Sequence, residues 1–288
     1  MKAAPFEYGQ AQNLDEALSL LADSGDDTMI IAGGQTLVPM MAMRLARPTF
    51  LVDINQVDEL AGMEAGDGVW QIGARTRQAK ALADPGLAEN VPLLAKALSF
   101  VGHVQTRNRG TIGGSLAHGD PAAEIPLTAV ALDAQLTLKS RTGERNLSAG
   151  EFIEGPMMTT RGADECLTRI DFPIWADEGT LGIGFQEVSE RHGDFAIVAV
   201  AVQLLLDEGG ICRRVAIAVG GAHPTPLRIK GAEELLQGQS MTPEAMEAAA
   251  AEAEAVLEPD GDTHASAGYR RRVARRLTIR AIQEASGT

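Results

Sequence analysis

Two glycine pairs stand in parts of the chain that lack carboxylates. Gly33-Gly34 lies in "IIAGGQTLVPMM" and Gly113-Gly114 in "TRNRGTIGGSLAHGDPAAEIP". No Asp or Glu occurs from Thr28 to Val52, a window holding Arg44 and Arg47, or from Asn90 to Gly119, a window holding Lys96, Arg107 and Arg109. The formal net charge is -14 over 288 residues, so both windows depart from the rest of the chain. Glycine lets a backbone come close to a phosphate and takes positive φ without steric cost. If a helix starts after the first pair, the amides of Gln35, Thr36 and Leu37 are unpaired donors; Thr36, Thr111 and Ser115 add hydroxyls. The chemistry on offer is the binding of an anion. Either stretch alone is more readily a simple turn, and neither fits G-x-G-x-x-G or the Walker pattern. Only the two together are specific.

Other reactive residue types form no constellation. His103, His118, His192, His223 and His264 are scattered without metal-ligand spacing, and His118 is not expected to be catalytic. Cys166 and Cys212 are too few for a disulfide framework or an iron–sulfur cluster. The acidic balance argues against nucleic acid or an anionic membrane as a partner. The arginines of "YRRRVARRLTIR" fit an amphipathic helix, because Tyr269, Val273 and Leu277 recur at helical spacing. Met40, Met41 and Met43 are expected as core filling beside the first glycine pair. "MKAAPFEYGQ" has no apolar leader, and the longest apolar run, Phe195 to Leu206, is too short to span a bilayer. These features predict a reduced, cytoplasmic protein with no membrane span.

The elements that must position the glycines change character along the chain. With 45% hydrophobic and 22% charged residues the composition is that of a globular protein long enough for two domains. In the first half, strand and helix signals alternate. Asn13 caps "LDEALSLLAD", with Leu14, Leu18 and Leu21 on one face; "TMIIA" is a strand ended by the glycines; "QTLVPMMAMRLA" is helical; "TFLVDI" and "GVWQIGA" are strands. "RQAKALA" and "PLLAKALSF" are helical, "GTIGGSLA" interrupts the periodicity, and a helix spans about Ala122 to Leu132. A hairpin then turns at Thr142-Gly143. Beyond Pro173 come three strand-like runs, "LGIGFQEVS", "FAIVAVAVQLLL" and "RRVAIAVGG", followed by three helical ones. Thr242 with Pro243 starts the second of these helices. The expected division is residues 1–175 and 176–288.

The two glycine segments, with "FEY", "LVDI", "ECLTRIDFP", "RHGDFAIVAVAV" and "HASAGYRRRVARRLTIRAI", resemble the FAD-binding medium subunit of the molybdenum hydroxylases. This is the xanthine dehydrogenase, aldehyde oxidase and carbon monoxide dehydrogenase family. The resemblance covers nearly the whole chain. It implies an α+β fold: a vanillyl-alcohol-oxidase-type FAD-binding domain of two α/β lobes, then a small three-stranded antiparallel sheet with helices, of the carbon monoxide dehydrogenase flavoprotein C-terminal type. By position, Ala32, Gly33, Gly34, Gln35 and Thr36 would wrap the FAD pyrophosphate with Leu37 adjoining, and Thr111, Ile112, Gly113, Gly114 and Ser115 would form a second cradle. Glu124 would place a carboxylate on the FAD; Val101 and Leu167 would pack against it. The FAD would be noncovalent, since no His or Cys is placed by motif to attach it. The lysine that relatives often carry in the segment matching "GFQEVSERHGDF" is replaced here by Gln186 and Glu187, and Gln35 and Gly119 stand where histidine and alanine are common. The resemblance further implies a small iron–sulfur subunit with 2Fe–2S clusters and a large molybdenum-cofactor subunit, in a dimer of heterotrimers. Electrons would pass from the clusters to the FAD and on to an outside acceptor, with no catalytic residue acting on the organic substrate in this chain. Two other readings are a free-standing flavin oxidoreductase and a scaffold subunit that has lost flavin.

Overall fold

The computed structural model describes residues 2–175 and 178–288; the division expected between 175 and 176 falls at residue 176, outside the described residues. Three short strands, β1 (Glu7–Gln10), β2 (Thr28–Ile31) and β3 (Phe50–Asp53), form a parallel sheet in the order β1-β3-β2. Parallel neighbours need crossovers. The first is the helix Leu14–Asp23, capped by Asn13, whose side chain accepts the Glu16 amide at 2.9 Å. It buries Leu18 and Leu21 against Val52 and Ile54. The second crossover contains the glycine pair and the helix Leu37–Ala42. Met41 is buried there, but Met43 is 51% exposed and is not core: two positions apart on a helix, the two side chains leave on different sides.

A second sheet, antiparallel throughout, has the order β4-β5-β10-β6-β7. Its strands are β4 (Met63–Ala65), β5 (Val69–Gly73), β6 (Gln135–Ser140) and β7 (Gly143–Ser148); then, after the small pair β8 (Ile153–Gly155) and β9 (Met158–Thr159), comes β10 (Cys166–Pro173). The central strand is thus the last in sequence. Between β5 and β6 the chain is helical, and it includes two helices not foreseen, Pro85–Asn90 and Val104–Arg109. "GTIGGSLA" is also helical rather than a break: Thr111 caps the helix Ile112–His118, its Oγ1 accepting the Gly114 amide at 3.0 Å. The glycines sit in the first turn, where a cap outweighs their poor helix propensity.

The remaining strands, β11 (Thr180–Val188), β12 (Val198–Leu206), β13 (Cys212–Gly220) and β14 (Leu227–Arg228), make an antiparallel sheet of four rather than three. β14 is two residues long, too short for an alternation to announce it. It is held by Arg228, whose guanidinium meets Glu233 at 2.8 and 3.0 Å while the same carboxylate accepts the Ile217 amide at 2.8 Å. The sheet is apolar on both faces. Val198, Val200, Val202 and Leu204 share a core with the helices Pro243–Val256 and Ala267–Ser286. Ala199, Ala201 and Leu205 join the core of the first half, where the small alanines admit the helices Pro92–Leu98 and Glu124–Ala131. The expected stripe on the last helix holds at Val273 and Leu277 but not at its first position. Tyr269 is 39% exposed, whereas Arg270 is buried, because its guanidinium donates to the carbonyls of Ile197 (2.5 Å) and Gly221 (2.8 Å) and to Asp262 (2.6 Å).

Candidate functional site

Strand β2 delivers the first glycine pair to the mouth of a cleft. Gly34 has φ +67°, a conformation that favours glycine. Gly33 is buried, and a Cβ there would run into the Arg109 carbonyl. The helix Leu37–Ala42 follows at once, and among the described residues the amides from Gly33 to Leu37 make no hydrogen bond. A run of free donors behind a sharp turn is a concavity suited to an anion.

The second pair differs. The Ile112 amide donates to the Thr76 carbonyl (3.0 Å), Gly113 to Ala74 (2.8 Å), Gly114 to the Thr111 hydroxyl (3.0 Å), and Ser115 to the Thr111 carbonyl (3.2 Å). These four donors are spent inside the protein. A Cβ on Gly113 would come within 2.8 Å of the Ala74 Cα, so that glycine permits helix-to-strand contact. Gly114, by contrast, is exposed to the cleft. The second segment thus offers the cleft a close surface rather than a fan of amides.

The cleft has a volume of about 530 Å³. It is lined by Ala32, Gly33, Gly34, Gln35, Thr36, Leu37, Val101, Thr111, Gly113, Gly114, Ser115, Glu124 and Leu167. Of the residues expected at the site only Ile112 is elsewhere, fully buried in the core behind it. The walls also include His118, Asp120, Met157, Arg161, Cys166 and Phe195, none of which the sequence pattern selects. Three of these lie next to a predicted residue or segment: His118 three residues beyond Ser115, Asp120 four before Glu124, and Cys166 directly before Leu167. Chain neighbourhood was the only signal for them.

Glu124 is a buried carboxyl on the cleft wall, and Glu187, outside that lining, lies near enough to interact with it. Burial, with help from Asp120, pushes Glu124 up to about 7. Burial and the nearby Glu124 push Glu187 up to about 8, and Glu187 Oε2 has no hydrogen-bond partner among the described residues. Desolvation favours the neutral acid at both. Near neutral pH Glu124 can therefore offer a hydrogen-bond donor as well as an acceptor to the cleft. Burial also pushes the Cys166 thiol up to about 12, which keeps it protonated and unreactive. Among the described residues no group of His, Cys, Asp and Glu could hold a metal ion, and no helix is long and apolar enough to cross a membrane.

Comparison with known proteins accounts for nearly the whole chain. Residues 4–175 match the FAD binding domain in molybdopterin dehydrogenase, and residues 184–285 match the CO dehydrogenase flavoprotein C-terminal domain. The 6-hydroxypseudooxynicotine dehydrogenase complex subunit alpha of Paenarthrobacter nicotinovorans is 41% identical, over 99% of this chain and 96% of its own length. Among solved structures, a chain of carbon monoxide dehydrogenase from Hydrogenophaga pseudoflava superimposes with a TM-score of 0.96 at 36% identity, covering 100% of this chain and 99% of that one. A chain of quinoline 2-oxidoreductase from Pseudomonas putida 86 gives 0.94 at 37% identity, with the same coverage. With both parts of the chain matched and both glycine segments of the cleft lying in the first, the chain belongs to the family of FAD-binding medium subunits of the molybdenum hydroxylases.

Proposed function

We propose that the cleft holds FAD noncovalently and that the chain is the electron-transfer subunit of a molybdenum hydroxylase. In this reading it receives electrons from 2Fe–2S clusters in a small subunit, fed by a molybdenum cofactor in a large subunit, within a dimer of heterotrimers. The fan of free amides from Gly33 to Leu37, in a window without carboxylates, carries the reading. Those donors suit the pyrophosphate of a dinucleotide, and Thr36 adds a hydroxyl beside them. Gly114 and Ser115 close the opposite side at backbone distance. Val101 and Leu167 supply apolar surface, and Glu124 supplies a carboxyl able to donate or accept a hydrogen bond to a ligand hydroxyl. The parallel and antiparallel sheets of the first half would be the two lobes, with residues 1–175 and 176–288 as the two domains. Bound FAD would supply one-electron and two-electron redox chemistry. The chain's own residues bind it, orient it and exclude water; none needs to act on the organic substrate.

The test separates the two halves of the reaction in the assembled enzyme. With FAD stripped, substrate should still reduce the iron–sulfur centres, while delivery of electrons to the acceptor stops. Clusters that stay oxidised in the stripped enzyme would favour a free-standing flavin oxidoreductase. Acid denaturation should release intact FAD; flavin left on the precipitate would contradict noncovalent binding.

A further inference from the structure

The first glycine segment follows β2 of the parallel sheet and the second lies in the helical run between β5 and β6, yet they touch at Gly33 and the Arg109 carbonyl. Two polar side chains span that junction. Asn55, just after β3, is fixed by Asp53: its backbone amide and its Nδ2 both donate to Asp53 Oδ1, each at 2.7 Å. The other oxygen of Asp53 accepts the Tyr8 hydroxyl at 2.5 Å. So oriented, Asn55 Nδ2 also donates to the Ala32 carbonyl at 2.8 Å, on the first segment. Its Oδ1 accepts from Arg77 Nη2 at 2.6 Å. Arg77 Nη1 donates in turn to the Arg109 carbonyl, the atom that abuts Gly33. The neighbouring backbone ties this side together, since the Gln78 amide donates to the Gly110 carbonyl at 2.9 Å and Arg77 bridges Thr111.

We propose that Asn55 and Arg77 are positioning residues: a latch that fixes the spacing between the two glycine segments and thereby the affinity for FAD. This rests on the cleft being the FAD site. Arg77 suits the task because its planar fork reaches two acceptors at once, which the single ammonium of lysine does not do in a fixed geometry. The Arg77 guanidinium forms no ion pair among the described residues. Burial, then the cations Arg109 and Arg75, pull it below the usual arginine value. Asp53, reached through Asn55, acts in the opposite direction.

The experiment measures FAD affinity of the deflavinated complex by fluorescence titration, beside its melting temperature. Asn55→Ala and Arg77→Ala should each weaken FAD roughly tenfold or more, the loss expected for a hydrogen bond to a charged group. The double variant should be no weaker than the weaker single one, since either change opens the same latch. Arg77→Lys, which keeps the charge and is the mildest change for folding, should fall with the alanine variants. Asn55→Asp keeps the acceptor for Arg77 but loses the donor to Ala32, and should rescue only partly. Unchanged affinity with a lowered melting temperature would overturn the latch in favour of a purely structural role, and so would losses that multiply in the double variant. A parent complex that takes up no FAD would instead overturn the assignment of the cleft.

Discussion

A methyl group on Gly33 would enter the carbonyl of Arg109, and one on Gly113 would crowd Ala74. Both glycines are therefore required by packing as well as by any ligand. A better probe of anion binding is Thr36, whose φ of -105° suits any residue and whose amide is free. Thr36→Asp should lower FAD per folded chain by about tenfold or more, because a carboxylate would face a polyanion among donors already placed for it. Circular dichroism should be unchanged; normal flavin content in the folded variant would count against the first cradle. Glu187 gives a prediction in pH. Its acid ionises near 4.5 when unfolded and near about 8 when folded, so between those values the folded state holds the extra proton. Its contribution to stability is then lost as pH rises through that window. The melting temperature should fall from pH 5 to 8, and Glu187→Gln should flatten that fall; a parallel decline in both proteins would show that Glu187 is already ionised.

Gly182 and Gly184 on β11 lie directly under the carbonyls of Ala285 and Ala281 of the last helix, at a separation no Cβ could occupy. Their spacing of two puts both on one face of the strand, so the helix Ala267–Ser286 rests on bare backbone. Gly184→Ala should push the helix outward and cost about 1–3 kcal/mol or more, as overpacking does. Chemical denaturation would measure it, and an unchanged midpoint would show that the helix is free to shift. This contact was not legible in "LGIGFQEVS", where the glycines read only as weak strand residues. Longer elements were legible, for physical reasons. The strands β11, β12 and β13 are nine residues each, and Asn13 and Thr242 cap their helices through side-chain oxygens as their types imply. Elements of two or three residues, such as β4, β9 and β14, are too short for a period to emerge. The site was legible where residues adjoin in sequence. It was not legible at Asn55 and Arg77, whose bonds join distant carbonyls and leave no pattern in the chain.

Over the whole molecule, the C-terminal sheet gives one face to each of two cores. Leu93, Leu94 and Leu127 of the first half share a core with Ala199, Ala201 and Ala218 of the second, and the Phe100 and Phe185 rings lie 5.0 Å apart. A fragment ending at residue 175 would expose the apolar sides of the helices Pro92–Leu98 and Glu124–Ala131. It should bind a hydrophobic dye and lack fixed near-ultraviolet circular dichroism. A fragment with native-like signals would show that the first half is self-sufficient. The position of β10 has a consequence in time. It is the middle strand of its sheet, between β5 and β6, and it carries Cys166 and Leu167 of the cleft wall, yet it leaves the ribosome after every other strand of that sheet. Chains emerge from the N-terminus and pair distant strands slowly, so the sheet and the cleft cannot close until Pro173 is out. Nascent chains halted before Cys166 should capture no flavin, however long they wait.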